Sequence, residues 1–369
     1  MKLIFQKDIL LNSINIVLKA VPSKTTMPIL ECILIDATGS DIKLTANDME
    51  LGIETKTTGV IEERGKIALN AKLFSEIVRK LPDNNVVIET EPNFNTTITC
   101  EKSKFNIQGK DGDEFSYLPY IEKQSYIKLS QFTLKDIIRQ TIFSISPNDS
   151  NKMMTGELFE IYDNELKVVS LDGHRISIRK IELSEHYESA KVIVPGKTLT
   201  EISKILSGDN SKEVQIFFNE NHILFEFDDT IVVSRLIEGE YFRINQMLSS
   251  DYETKVTVNK KVFLDCIDRA TLLIRESDKK PIIISVADNV MQMKLSSVIG
   301  TMNEEIDIQK NGKDITIGFN PKFLIDALRV IDDEEVSIYL INPKAPCFIK
   351  DSDERYIYLI LPVNISSGM

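Results

Sequence analysis

The sequence predicts an α+β protein assembled from three copies of one unit, each packing two helices on antiparallel strands. Three observations carry this. A charge pattern recurs at one fixed period, each copy runs from an alternating strand into a helix, and 369 residues exceed what one ordinary core holds.

The period is 125 residues. Segments 66–81 (KIALNAKLFSEIVRKL), 191–206 (KVIVPGKTLTEISKIL) and 314–331 (DITIGFNPKFLIDALRVI) align so that Lys72, Lys197 and Lys322 share one position. Glu76, Glu201 and Asp326 share a second, and Arg79, Lys204 and Arg329 a third. At about 100° per residue these positions fall on one helical face, within roughly 60° of each other. Phe74, Ile77 and Leu81 lie opposite, as do Leu199, Ile202 and Leu206, then Leu324, Ala327 and Ile331. Each helix is expected to bury that side and present cations on the other. The acid four residues after each lysine is expected to hold it by i,i+4 pairing.

An earlier helix opens each unit, over 7–21, 134–144 and 260–273, after the short strands KLIFQ, YIKLSQF and KVTVN. Polar turns follow the second helices and lead into VVIET, VQIFF and VSIYL. The units run over about 1–120, 121–250 and 251–369, with linkers near Tyr120–Ser125 and Ser249–Glu253.

Composition narrows the function. Four dispersed cysteines (Cys32, Cys100, Cys266, Cys347) without a C-x-x-C fit buried thiols better than disulfides or zinc. The opening segment is broken by Lys7, Asp8, Asn12, Ser13 and Asn15, so it reads as an amphipathic helix and not a secretion signal. No apolar run approaches membrane-span length. A cytoplasmic protein without metal or cofactor is expected.

The net charge of −12 taken alone argues against a nucleic-acid partner. Its distribution argues otherwise. The six expected helices hold 14 Lys and Arg against 7 Asp and Glu, a net +7, which leaves −19 on the rest. Such helices, gathered on one surface, attract a polyanion. None carries a base-reading cluster, so the contact is with phosphates and indifferent to sequence.

The segment LDGHRISI (171–178) holds one of three histidines. It fits an ordinary turn at Asp172-Gly173 between strands KVVS and ISIRK. An Asp172–His174 hydrolytic relay is a second reading, weakened because no nucleophile elbow accompanies it. A pocket for a peptide is the third. Pro195-Gly196-Lys197-Thr198 imitates the end of a P-loop, but position 191, where the pattern needs glycine, is Lys191.

Four stretches resemble the bacterial sliding clamp, the beta subunit of the replicative DNA polymerase. They are TTMPILECILIDA (25–37), LTANDMELGIE (44–54), MMTGELFEIYDNELKVVSLDGHRISI (153–178) and YIYLILPV (356–363). The resemblance spans essentially the whole chain. It implies a DNA-clamp fold of three repeated domains and a head-to-tail ring homodimer whose helices line a hole for double-stranded DNA. It also implies a non-catalytic processivity factor with three kinds of partner. These are a clamp loader, replicative and repair DNA polymerases, and other proteins bearing clamp-binding motifs.

Carried over by position, Lys24, in the loop before MPIL, matches a basic DNA-contacting residue, and Lys197 and Lys204 match lining positions. The repeat adds Lys72, Arg79, Lys322 and Arg329, and the same helices offer Lys80, Lys135, Arg139, Lys260 and Arg269. A peptide pocket is implied at Met154, Leu171, Gly173, His174, Arg175, Ile176, Met247, Leu359, Leu361, Pro362 and Val363, with His174 and Arg175 as rim donors. Phe242 stands there where the family often has proline, Gln246 and Asn364 replace residues that are often arginine, and Ser366–Met369 extend the usual end. The implied dimer junction joins Phe105 and Ile107 to Leu272 and Leu273 of the next copy, with Glu304 and Glu305 nearby.

Overall fold

The computed structural model describes residues 1–116, 118–123, 126–147, 150–248, 251–275 and 280–365. Gln124, Ser125, Ser249 and Ser250 of the expected linkers, and the extension Ser366–Met369, lie outside the described residues.

The helices are α1 (Lys7–Val17), α2 (Ala71–Lys80), α3 (Gln131–Thr141), α4 (Gly196–Ile205), α5 (Lys260–Thr271) and α6 (Pro321–Val330). Their apolar faces are buried as the periodicity requires: Phe74, Ile77 and Leu81, Leu199, Ile202 and Leu206, Leu324, Ala327 and Ile331 all lie in the interior. Truncating one of the buried phenylalanines, Phe74 or Phe263, to alanine costs roughly 3–5 kcal/mol. Asparagines start three helices: Asn70 accepts from Leu73 N, Asn259 from Val262 N and Asn320 from Lys322 N. Helix α3 begins three residues before the expected Leu134, because Ser130 Oγ accepts from Thr133 N at 3.0 Å and starts the turn there.

The repeat is also a repeat of strand pairing. In each copy the strand before the first helix pairs antiparallel with the strand after the second. Lys2–Gln6 runs against Asn85–Thr90, Tyr126–Ser130 against Glu213–Phe218 and Thr254–Asn259 against Glu335–Leu340. The residue just before the helix meets the first residue of its partner strand each time: Gln6 with Asn85, Ser130 with Glu213, Asn259 with Glu335. Both helix ends are thereby tied to one ladder.

The chain forms two compact units, Met1–Lys135 with Thr200–Leu236, and Asp136–Leu199 with Ile237–Met369. The middle repeat is divided between them because its strands extend the sheets of both neighbours. The first unit holds a five-stranded sheet and a nine-stranded one in which Leu51–Thr57 pairs with Thr230–Arg235. The second unit holds a seven-stranded sheet, in which Arg175–Pro195 pairs with Tyr356–Ile360, and a four-stranded one. The second unit's core gathers Phe263, Ile267, Met293, Leu324 and Tyr358. All four cysteines are free and buried.

One buried acid breaks the apolar rule. Glu157, on strand Gly156–Leu171, is fully buried, and neither carboxylate oxygen has a hydrogen-bond partner. The nearby Thr141 hydroxyl donates at 2.8 Å to Ile137 O instead. Burial pushes the Glu157 carboxyl up to about 8. A folded-state value above the ordinary ~4.3 means that the folded chain binds the proton more tightly than the unfolded one. Stability is therefore lost as pH rises through that window, by up to ~1.4 kcal/mol per pH unit. The melting temperature of Glu157→Gln should exceed that of the wild type by a margin that widens from pH 5 to pH 8. Parallel curves would contradict this account.

Candidate functional site

Segment 171–178 folds as a hairpin between strands Gly156–Leu171 and Arg175–Pro195, with Leu171 opposite Ile176. Asp172 Oδ1 accepts from the backbone N–H of His174 (3.0 Å) and Arg175 (3.2 Å). Gly173 occupies the left-handed region at φ +86°, where a side chain is disfavoured. Asp172 Oδ2 accepts from Arg175 Nε at 2.9 Å, so the carboxylate serves the turn and its arginine. The His174 ring stacks instead toward Phe323 of α6, with centroids 6.2 Å apart. The pieces of a hydrolytic relay are present in sequence but committed elsewhere.

Arg175 corrects an expectation. It is no rim donor: only 7% of the residue is exposed. Its Nη1 donates to Asp326 Oδ2 at 2.7 Å and lies 3.4 Å from the Tyr358 hydroxyl, and Nη2 donates to Phe143 O. The guanidinium lies 4.5 Å from the Phe323 ring centroid. A planar group with five donors is buried only when most are satisfied, and these partners do so. Asp326 is thus turned from the expected pairing with Lys322 toward Arg175. In the other copies Glu201 pairs with Lys204 and Glu76 with Lys80.

Over this brace lies a groove of about 570 Å³. It brings together Met154, Leu171, Gly173, His174, Arg175, Ile176, Phe242, Gln246, Met247, Leu359 and Leu361 from the expected set. Leu361 N donates to His174 O at 2.9 Å and fixes the final strand against the hairpin. Pro362, Val363 and Asn364 are not among the lining residues, and Val363 turns aside to donate its N–H to Gly318 O. Pro346 was missed. It immediately precedes Cys347, which pairs with Ile360, so the register sets it beside Leu361. Met247 and Leu361 remain substantially exposed.

The expected DNA-contact residues fall into three groups. Lys24, Lys72, Arg79, Lys197 and Lys322 are exposed. Lys80, Lys204 and Arg329 are exposed but pair with Glu76, Glu201 and Asp268, at 3.9, 2.7 and 3.3 Å. Such surface pairs contribute little and yield easily to a phosphate. The third group also bonds within the protein, Lys135 and Lys260 to backbone carbonyls and the exposed Arg139 and Arg269 mainly to carboxylates. Lys135 Nζ donates to Leu206 O (3.0 Å) and Lys260 Nζ to Ile331 O (2.6 Å), so equivalent lysines cap the chain just after α4 and α6. Arg139 binds Asp136, Asp332 and Val330 O, and Arg269 binds Glu304. Counting charges along a helix cannot show partners from other elements.

The expected junction residues sit on sheet edges. Phe105 and Ile107 belong to Ser103–Gln108, which pairs, among the described residues, only with Asn95–Cys100. Phe105 is 40% exposed. In the second unit Glu304 and Glu305 lie on the outermost strand Thr301–Asp307, and Leu272, after α5, is 79% exposed. Leu273 packs against its own core. The Arg269 guanidinium holds Glu304 below the usual carboxylate range.

Repeated α+β units with exposed cations on their helices, joined by shared antiparallel sheets and carrying an apolar groove, fit the clamp class of fold. Family models of the DNA polymerase III beta subunit match in series: the N-terminal domain over 1–119, the central domain over 128–242 and the C-terminal domain over 245–364. A beta sliding clamp of Staphylococcus aureus is 35% identical, covering 98% of this chain and 99% of the relative. A crystal structure of a putative DNA polymerase III beta subunit from Eubacterium rectale is 68% identical, covers 100% of both chains and superposes with TM-score 0.97. A DNA polymerase sliding clamp from Bacillus subtilis is 37% identical, covers 99% of both chains and gives TM-score 0.96. The chain belongs to the bacterial beta sliding clamp family, the non-catalytic processivity subunits of DNA polymerase III. No helix among the described residues is long and apolar enough to cross a membrane.

The brace yields a prediction. Asp326→Ala leaves a buried guanidinium short of one carboxylate, which should cost roughly 3 kcal/mol in urea unfolding. A change within ~0.5 kcal/mol, the range of an ordinary surface substitution, would show that Arg175 does not depend on α6.

Proposed function

We propose that this chain, with domains at 1–120, 121–250 and 251–369, closes head to tail with a second copy into a ring around duplex DNA. The ring tethers polymerase to template by topology. The observation that carries the reading is the cationic position kept at a 125-residue period, Lys72, Lys197 and Lys322, and exposed in every copy. Three like faces suit a helical polyanion that must be followed without being read.

Closure uses the two sheet edges. Ser103–Gln108, with Lys102 and Lys104 beside Phe105, offers an edge with positive charge; Thr301–Asp307 offers an edge with negative charge from Glu304, Glu305 and Asp307. Opposite signs favour head-to-tail pairing over like-to-like. The groove at Met154, His174 and Leu361 takes leucine and phenylalanine anchors from partner peptides. Its occupants are replicative and repair polymerases and a clamp loader that opens the ring. The protein works in the cytoplasm, where the chromosome is.

Loaded onto nicked circular DNA, the protein should stay bound through a salt wash and leave when the circle is cut. Loss from the intact circle would reject the ring. Charge reversal of Lys72, Lys197 and Lys322 together should weaken duplex binding and flatten its salt dependence, by about one phosphate contact per lysine. Met154→Ala with Leu361→Ala should abolish peptide binding while the dimer mass persists. Undiminished affinity would remove the groove from the reading.

A further inference from the structure

The peptide groove does not end at Phe242. Phe242 and Gln246 also line a second cavity of about 640 Å³, to which the rest of loop 239–246 contributes. Its floor is apolar, from Leu158 and Ile193, and its walls are charged. Lys167 and Lys191 both reach the single carboxylate of Glu160, at 3.1 and 2.6 Å. At the mouth Arg243 and Glu240 form a 3.6 Å pair whose side chains are both more than three-quarters exposed. Three cations thus face two carboxylates, a local positive excess on a chain of net charge −12.

An ammonium group has three donors, so Lys191 can keep Glu160 and still donate to an incoming carboxylate. Arg243 can exchange its loose partner for one better placed. Neither step strands a buried charge, because the pairs concerned stand at the surface. Phe242 forms the wall shared by the two cavities, its ring edge-on to Tyr241 at 5.7 Å. A chain whose apolar anchors fill the first cavity has its flank beside residues that line the second. Being tethered, its flank arrives at high effective concentration.

We infer that this second chamber binds the acidic flank of the same partner segment whose apolar anchors occupy the groove. The inference rests on the peptide-groove reading and adds a preference to it: among segments with equal anchors, those carrying aspartate or glutamate beside them bind more tightly. The effect is electrostatic and short-ranged, so it declines as salt is added.

The test uses full-length protein and fluorescent synthetic peptides with identical leucine and phenylalanine anchors. One carries an Asp-Glu pair N-terminal to the anchors, another carries it C-terminal, and a third has serine at all those positions. Anisotropy titrations at low salt should give one acidic peptide a Kd roughly fivefold below that of the serine peptide, as expected for one or two surface ion pairs. Lys191→Glu with Arg243→Glu should erase that advantage and leave the Kd of the serine peptide unchanged, which also verifies folding. Equal affinities of all three peptides for the wild type overturn the chamber and leave the groove standing. An acidic advantage that survives the double substitution places the carboxylate elsewhere and equally overturns it. If no peptide binds, the groove and the chamber fall together.

Discussion

The Arg175 guanidinium, sunk between a hairpin, a helix and a strand, is the constraint on which the groove and the elements around it depend. Asp172 fixes it from the hairpin, Asp326 from α6, Phe143 O from the short turn after α3, and the Phe323 ring covers its face. Each partner alone is an ordinary contact. Together they hold the His174 turn, which in turn receives the end of strand Tyr356–Ile360 through Leu361 N. The groove is therefore built by satisfying one buried charge, and its apolar walls follow from where that charge must sit.

The same network shows how a repeat acquires a specialised copy. Position two of the charge pattern is glutamate on α2 and α4, and there it pairs along its own helix. In the third copy it is aspartate, one methylene shorter, and it faces inward to Arg175. The same face of α6 that carries exposed Lys322 and Arg329 thus also supplies Asp326 to the brace beneath the groove. Divergence is also visible at the helix-capping lysines. Lys135 and Lys260 close the ends of α4 and α6, but the equivalent first-copy position is the fully buried Leu10.

Much of this could be anticipated from the chain, for reasons that also mark the limit. Helices and strands announced themselves because period and capping are local: Phe74, Ile77 and Leu81 had to face inward, and Asn70, Asn259 and Asn320 stop and start the chain within three residues. The start of α3 was misplaced because its cap, Ser130, sits in a stretch that alternates like a strand. Met154, Leu171, Ile176, Leu359 and Leu361 were recoverable from two segments already singled out, and Phe242 and Met247 from the resemblance. Pro346 was not, because only the pairing of Cys347 with Ile360 brings it there. The partners of Arg175, Lys135, Lys260, Arg139 and Arg269 could not be read from the chain for one shared reason. A long charged side chain is defined by the partner it meets, and that partner lies 3 to 193 positions away.

The open edge at Ser103–Gln108 carries a further consequence. Its exposed backbone would accept any extended segment, yet Lys104, Asn106 and Gln108 interrupt its apolar residues, and desolvating them beside a stranger's side chains is unfavourable. Polar residues at alternate positions of an open edge are a general device against edge-to-edge aggregation. Selectivity for its proper mate is written into the alternation itself, and hydrophobic substitutions at those polar positions would trade an orderly assembly for indiscriminate stacking.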